Sequence, residues 1–90
     1  MVEAEIDAAD ADFVAYPNPA TDALTLGGLP FGVTEVVVTD GLGRGVLAKA
    51  LPAGVARVRL DVSALPEGVY VVRLRGGGGA ALRTTRVAVR

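Results

Sequence analysis

Apolar and polar residues alternate along most of this chain with a period of two. Val58, Leu60 and Val62 are interleaved with Arg57, Arg59 and Asp61, and Tyr70, Val72 and Leu74 with Val71, Arg73 and Arg75. Such alternation puts one set of side chains on each face and predicts strands half-buried against a core. The same reading turns Leu24 and Leu26 inward with Ala23 and Thr25 outward, and opposes Thr85, Val87 and Val89 to Arg86, Ala88 and Arg90. Glu35 to Asp40 is a triple-Val run too short for a helix, which predicts a buried strand. Residues 45–50 carry a weaker pattern, and a strand pairing back onto that run is the economical reading.

Turn chemistry separates these runs. Pro17 and Pro19 flank Asn18, and neither proline has an amide hydrogen to give a central strand. Asp40, Gly41 and Gly43, then Pro52 with Gly54, then Pro66 with Gly68, mark further turns, and Gly76 to Gly79 form a loop before the last strand. A phosphate-cradling loop would lead into a helix, whereas these glycines lead into a strand. The prediction is about seven strands, at 13–16, 23–27, 34–40, 45–50, 56–62, 69–75 and 82–90, joined as an all-β, immunoglobulin-like antiparallel β-sandwich with a Greek-key path. Tyr70 opens the sixth strand after a Leu-Pro-Glu-Gly corner, where such sandwiches tie a tyrosine hydroxyl to the corner backbone. Glu3 to Asp12 is the one helix candidate; lacking an apolar stripe, it reads as linker.

Ninety residues suit one core. The formal net charge of -1 hides an asymmetry. Glu3, Glu5, Asp7, Asp10, Asp12 and Asp22 precede any base, whereas from Gly41 onward nine bases face only Asp61 and Glu67, a net of +7. An acidic leader therefore precedes a basic sheet surface. With two Tyr, two Phe and no Trp, stacking aromatics for nucleic acid are scarce. No run approaches the roughly 18 apolar residues of a membrane helix. No basic-then-apolar leader opens the chain, and the acidic Ala-rich start suggests that something longer precedes it.

Active-site chemistry is hard to build from these residues. The chain has no Cys and no His, which excludes cysteine proteases, Ser-His-Asp hydrolases, cysteine- or histidine-ligated zinc enzymes and c-type haem proteins. Ser63 and Lys49, each alone of its kind, have no histidine to activate them. Asp7, Asp10 and Asp12 lack the glycine and distal Glu of a helical calcium loop. Asp22, Asp40 and Asp61 fall at strand ends, where carboxylates accept hydrogen bonds from turn amides. An interaction or addressing module is left.

Four motifs in order carry a resemblance. They are Tyr16-Pro17-Asn18-Pro19 with Leu24-Thr25-Leu26; Val36 to Asp40 continuing through Gly41-Leu42-Gly43-Arg44; Leu60-Asp61-Val62-Ser63-Ala64-Leu65-Pro66-Glu67-Gly68-Val69-Tyr70; and the closing Arg86-Val87-Ala88-Val89-Arg90. Together they resemble the type A C-terminal sorting domain of the type IX secretion system of Bacteroidota, the Por secretion tail, over about residues 13–90. Gly45 and the four-glycine loop depart from the more polar residues usual there.

The resemblance implies a C-terminal address. A covalently fused upstream cargo would enter the periplasm, the domain would be recognised by the outer-membrane translocon and its shuttle proteins, and a sortase would remove it, leaving cargo at the cell surface or in the medium. On this view residues 1–12 are a flexible acidic linker with the cleavage region and residues 13–90 the sorting domain. Motif and recognition residues would be Pro17, Asn18, Pro19, Asp40, Gly43 and Arg44, then Gly68, Tyr70, Arg86, Val87, Val89 and Arg90. It implies no enzyme activity, no cofactor, no nucleic-acid partner and no membrane-spanning segment. The last strand, expected at a sheet edge, could offer backbone groups to a partner, with Arg83, Arg86 and Arg90 either recognised or only keeping the edge soluble. Pro17, Asn18 and Pro19 are expected to set the chain's path into the sandwich.

Two other modules remain open. An immunoglobulin-like module of flagellar hook-capping type shares the Pro-Asn-Pro opening but carries a Trp-Asp-Gly segment where this chain has Leu60-Asp61-Val62. A carbohydrate-binding module would need exposed aromatics, and Tyr16 and Tyr70 are both expected to be partly buried.

Overall fold

The alternation in the sequence is realised as seven strands. A computed structural model describes residues 13–79 and 81–90. The strands are β1 (Val14–Tyr16), β2 (Ala23–Gly27), β3 (Val33–Thr39), β4 (Gly45–Ala50), β5 (Arg57–Asp61), β6 (Gly68–Gly76) and β7 (Ala81–Val89). The acidic segment 1–12, with the linker, helix and calcium readings attached to it, lies outside the described residues.

The strands form two antiparallel sheets, β1-β2-β5 and β4-β3-β6-β7. Neighbours that are not consecutive, β2 with β5 and β3 with β6, make the path a Greek key of immunoglobulin-like sandwich type. Relative to a constant-type immunoglobulin domain, the fourth strand has changed sheets and lies beside the third. Only Leu47 of β4 packs toward the core, which explains its weak pattern in the sequence.

Register follows the inward residues. Leu24 pairs Leu60 and Leu26 pairs Val58 in one sheet, and Val36 pairs Leu74 and Val38 pairs Val72 in the other. Together with Val62 these are nearly inaccessible to solvent, each contributing roughly 1.5–3 kcal/mol by burial. A one-residue slip would turn every one of them to water. Arg57, Arg59, Arg73 and Arg75 occupy the outward positions between them.

Three details differ from expectation. β3 is not buried on both faces: Val36 and Val38 face the core while Val37 is half-buried on the outer face. Gly76 ends β6 instead of starting the loop, and Gly77–Gly79 form a 3-10 turn. A Cβ on Gly76 would lie 3.0 Å from Leu82 Cδ1 and 3.2 Å from the Gly32 carbonyl oxygen, so close packing requires the glycine. Tyr16, expected to be partly buried, is 44% exposed. It lies with Val14 across Gly27, whose missing side chain leaves room on the outer face.

The registers put the end of β3, the start of β6 and the end of β7 at one pole of the sandwich. Phe13 and the start of β1 lie toward the opposite pole, where β2 ends. All four sequence motifs therefore reach the pole far from where the upstream chain enters.

Candidate recognition surface

At that pole the loop after β1 clamps the outer edge of β7. Ala20, fully buried, makes a parallel bridge to Val89: its N–H donates to the Ala88 carbonyl at 2.8 Å, and its own carbonyl accepts the Arg90 N–H at 2.8 Å. Asn18 Oδ1 accepts the Ala88 N–H at 3.0 Å. Pro17 and Pro19, both with cis peptide bonds before them, bracket that asparagine. Three backbone groups at the end of β7 are thus satisfied by a segment some 70 residues earlier in the chain. This corrects the expectation that the final residues offer a free edge: the edge there is already paired.

Beside this latch stands the corner. The Tyr70 hydroxyl, on a side chain only 5% exposed, donates to the Pro66 carbonyl at 2.5 Å. Gly68, two residues earlier, is half-buried and pairs Val89. The preceding turn is held by Asp61, whose Oδ1 accepts the Ser63 hydroxyl at 2.6 Å and the Ser63 N–H at 3.0 Å. Those bonds, the hydroxyl foremost, hold the Asp61 carboxyl below its ordinary pKa.

The second motif forms the turn from β3 to β4. Asp40 Oδ1 accepts the N–H groups of Leu42 (2.9 Å) and Arg44 (3.0 Å), and Oδ2 accepts Arg44 Nε at 2.9 Å. Gly43 takes φ of 83° and donates its N–H to the Asp40 carbonyl at 3.0 Å. A side chain at that positive φ would be strained, so the turn needs its glycine. The Arg44 amide, more than any other group, holds the Asp40 carboxyl below its ordinary pKa, helped by the Leu42 amide and the Arg44 guanidinium. The pair at the sandwich end is solvent-exposed on the Arg44 side.

The strands thus bring Pro17, Asn18 and Pro19 against the segment from Val87 to Arg90, with Gly68 and Tyr70 one strand away. Asp40, Gly43 and Arg44 stand at the same pole but beyond β6, not in contact order with the latch. Val87 and Val89 are 3% and 2% exposed, so their side chains pack the core and face no partner. Arg86 and Arg90 are exposed. Ala20 went unmarked by sequence reasoning, since a buried alanine carries no chemical signal; Asn18, the one asparagine and set between prolines, carried one.

Asp22 and Asp61, weighed above as carboxylates at strand ends, share an open groove of about 530 Å³ with Ala23, Arg59 and Ser63. Asp61 is held below its ordinary pKa by Ser63, opposite to the raised pKa that a general-acid carboxyl needs. Among the described residues no cluster of three or more acidic ligands could hold a metal. Nor is any helix of theirs long and apolar enough to cross a membrane.

Comparison with known proteins meets this geometry. The profile of the secretion system C-terminal sorting domain family matches residues 14–88, which takes in all seven strands but the last residue of β7. The chain belongs to that family. Among curated proteins none matches the chain's sequence. A solved structure of PorZ, described as an essential bacterial surface component of the type-IX secretion system of Porphyromonas gingivalis, is similar to this sorting domain. The likeness has a TM-score of 0.71 at 26% sequence identity over 92% of the chain, which spans 12% of the length of PorZ. The sorting-domain family is not an enzyme family.

Proposed function

We propose that this chain is a C-terminal sorting signal that directs a covalently fused upstream cargo through the type IX secretion system to the cell surface or medium. The observation that carries the reading is the family match over residues 14–88. Residues 13–90 form the folded signal, and residues 1–12 are the acidic segment in which a sortase cuts. The outer-membrane translocon and its shuttle proteins read the domain after periplasmic transit. Because the upstream chain enters at the pole opposite the motifs, cargo and reader can occupy opposite ends without collision. The sugar-platform alternative loses Tyr70, which is buried.

The test is to fuse residues 1–90 behind a periplasmic reporter in a host that has the secretion system. Export to the surface or medium is expected only when the apparatus is intact. Equal export with and without it would overturn the reading.

A further inference from the structure

The latch closes only part of β7. Ala88 and Arg90 turn backbone groups toward Asn18 and Ala20, and along an antiparallel ladder outward-facing residues alternate with those bonded to the neighbouring strand. Arg86 and Thr84 therefore turn their N–H and C=O groups to the same side as Ala88, where no other strand of the described residues runs alongside. Two grooves flank this stretch. One, about 490 Å³, is lined by Phe13, Ala81, Leu82, Arg83, Thr84 and Thr85. The other, about 610 Å³, lies among Val71, Thr84, Thr85 and Arg86 on the outer face. A strand added at an open edge sends alternate side chains to opposite faces, and here each set meets a groove.

Charge selects the occupant. From Gly68 to Arg90 the β6–β7 hairpin carries five arginines and no acid. Register sets Arg73 beside Thr84 and Arg86 beside Val71 on the outer face. A second copy of this edge would bring arginine against arginine, which disfavours self-pairing. Of the other edges, β1 and β5 are short, with three and five residues, and β4 is bulged opposite Val38 and Thr39; β7 is itself bulged at Leu82, opposite Leu74 and Arg75, and its regular ladder runs from Arg83 onward.

We propose that the stretch 83–86 of β7 is a docking edge for an extended segment of a partner protein in which acidic residues alternate with apolar ones. The segment adds to the four-stranded sheet as a fifth strand, its acids toward Arg86 and Arg73 and its apolar side chains toward Phe13 and Leu82. Only the assignment of that partner to the export machinery rests on the sorting reading.

The probes are two capped hexapeptides, one alternating Glu and Val and one alternating Lys and Val, added to the 1–90 chain while backbone amide exchange is followed by NMR. The Glu peptide is expected to slow exchange at Thr84 and Arg86 on the order of tenfold, with Ala88 and Arg90 unchanged and the effect weakening as salt is raised. Equal protection by the Lys peptide, or none at Thr84 and Arg86, overturns the proposal. So does faster exchange there on deleting residues 1–12, which would mean that the acidic leader is the occupant. Thr84→Pro removes one outward N–H, and Arg86→Glu reverses an exposed charge. Whichever variant keeps a wild-type melting curve is expected to lose peptide protection and to export the reporter on the order of tenfold less. Folded variants that export normally, while wild-type export still requires the apparatus, sink the docking edge and spare the sorting reading. Export that ignores the apparatus sinks the sorting reading, and the exchange data then still decide the edge.

Discussion

Replacing Tyr70 with Phe isolates one hydrogen bond. The ring is almost wholly buried against the core and would stay so in Phe, so the burial terms of the two residues nearly cancel. What is lost is the hydroxyl's bond to the Pro66 carbonyl. Pro66 itself is an exposed residue, which favours hydration of the abandoned carbonyl. The net cost is then that of an ordinary intramolecular hydrogen bond, about 1 kcal/mol. In a domain of this size that lowers the thermal midpoint by roughly 4–8 °C. In urea, with a slope of about 1–3 kcal/mol/M, the midpoint falls by roughly 0.3–1 M at unchanged slope. Far-UV circular dichroism during urea titration reads both quantities. A midpoint that does not move, at equal slope, would mean that the corner bond contributes nothing and Tyr70 is only core filler. Tyr70→Ala, which also removes the ring, should cost about 3–5 kcal/mol and sets the scale.

Asn18→Ala should lower stability by about 0.5–1.5 kcal/mol and speed amide exchange at Ala88, whose acceptor it removes; unchanged exchange at that amide would refute the latch. Gly76→Ala should cost about 1–3 kcal/mol, because the added methyl presses on Leu82 and the Gly32 backbone, and a neutral result would show that the hairpin yields freely. Asp40 and Asp61 are both held below the ordinary 3.8, so they favour the folded state while ionised. Their contribution is complete above that value and is lost as pH falls through the depressed folded-state values, so the unfolding midpoint should drop steeply only below about pH 4. Asp40→Asn should flatten that acid limb, and an equally steep limb would place its cause elsewhere. Deleting residues 87–90 removes Val87, Val89 and the latch together, and the truncated chain should give no cooperative melt.

Most strands were legible because their inner rows are uniformly apolar and their outer rows carry arginine or threonine. Tyr70 was legible for a different reason, since a tyrosine just after a Pro-Glu-Gly corner has few other uses. The first strand was legible in place but not in facing. Its two bulkier residues, Val14 and Tyr16, point outward, an arrangement that pays only because Gly27 on the neighbouring strand leaves a hollow for them. No local pattern reveals which glycine will lie opposite. The latch was half legible. Asn18 between two prolines signalled a fixed turn, but its partner Ala88 lies 70 residues away, and pairing at that range leaves no mark on either segment alone. Without the partner, the whole last strand looked like open edge, whereas its end is paired.

The contact between Asn18 and Ala88 also bears on synthesis. The loop after the first strand is made early, yet the strand it clamps leaves the ribosome only after the whole sandwich has been translated, and closing so wide a loop must wait for it. A message cut short anywhere in this region yields a loop with nothing to grip and a sheet lacking its outermost strand. Only a fully translated domain can display the finished pole, so the same hydrogen bonds that secure the fold certify that the reading frame was followed through it.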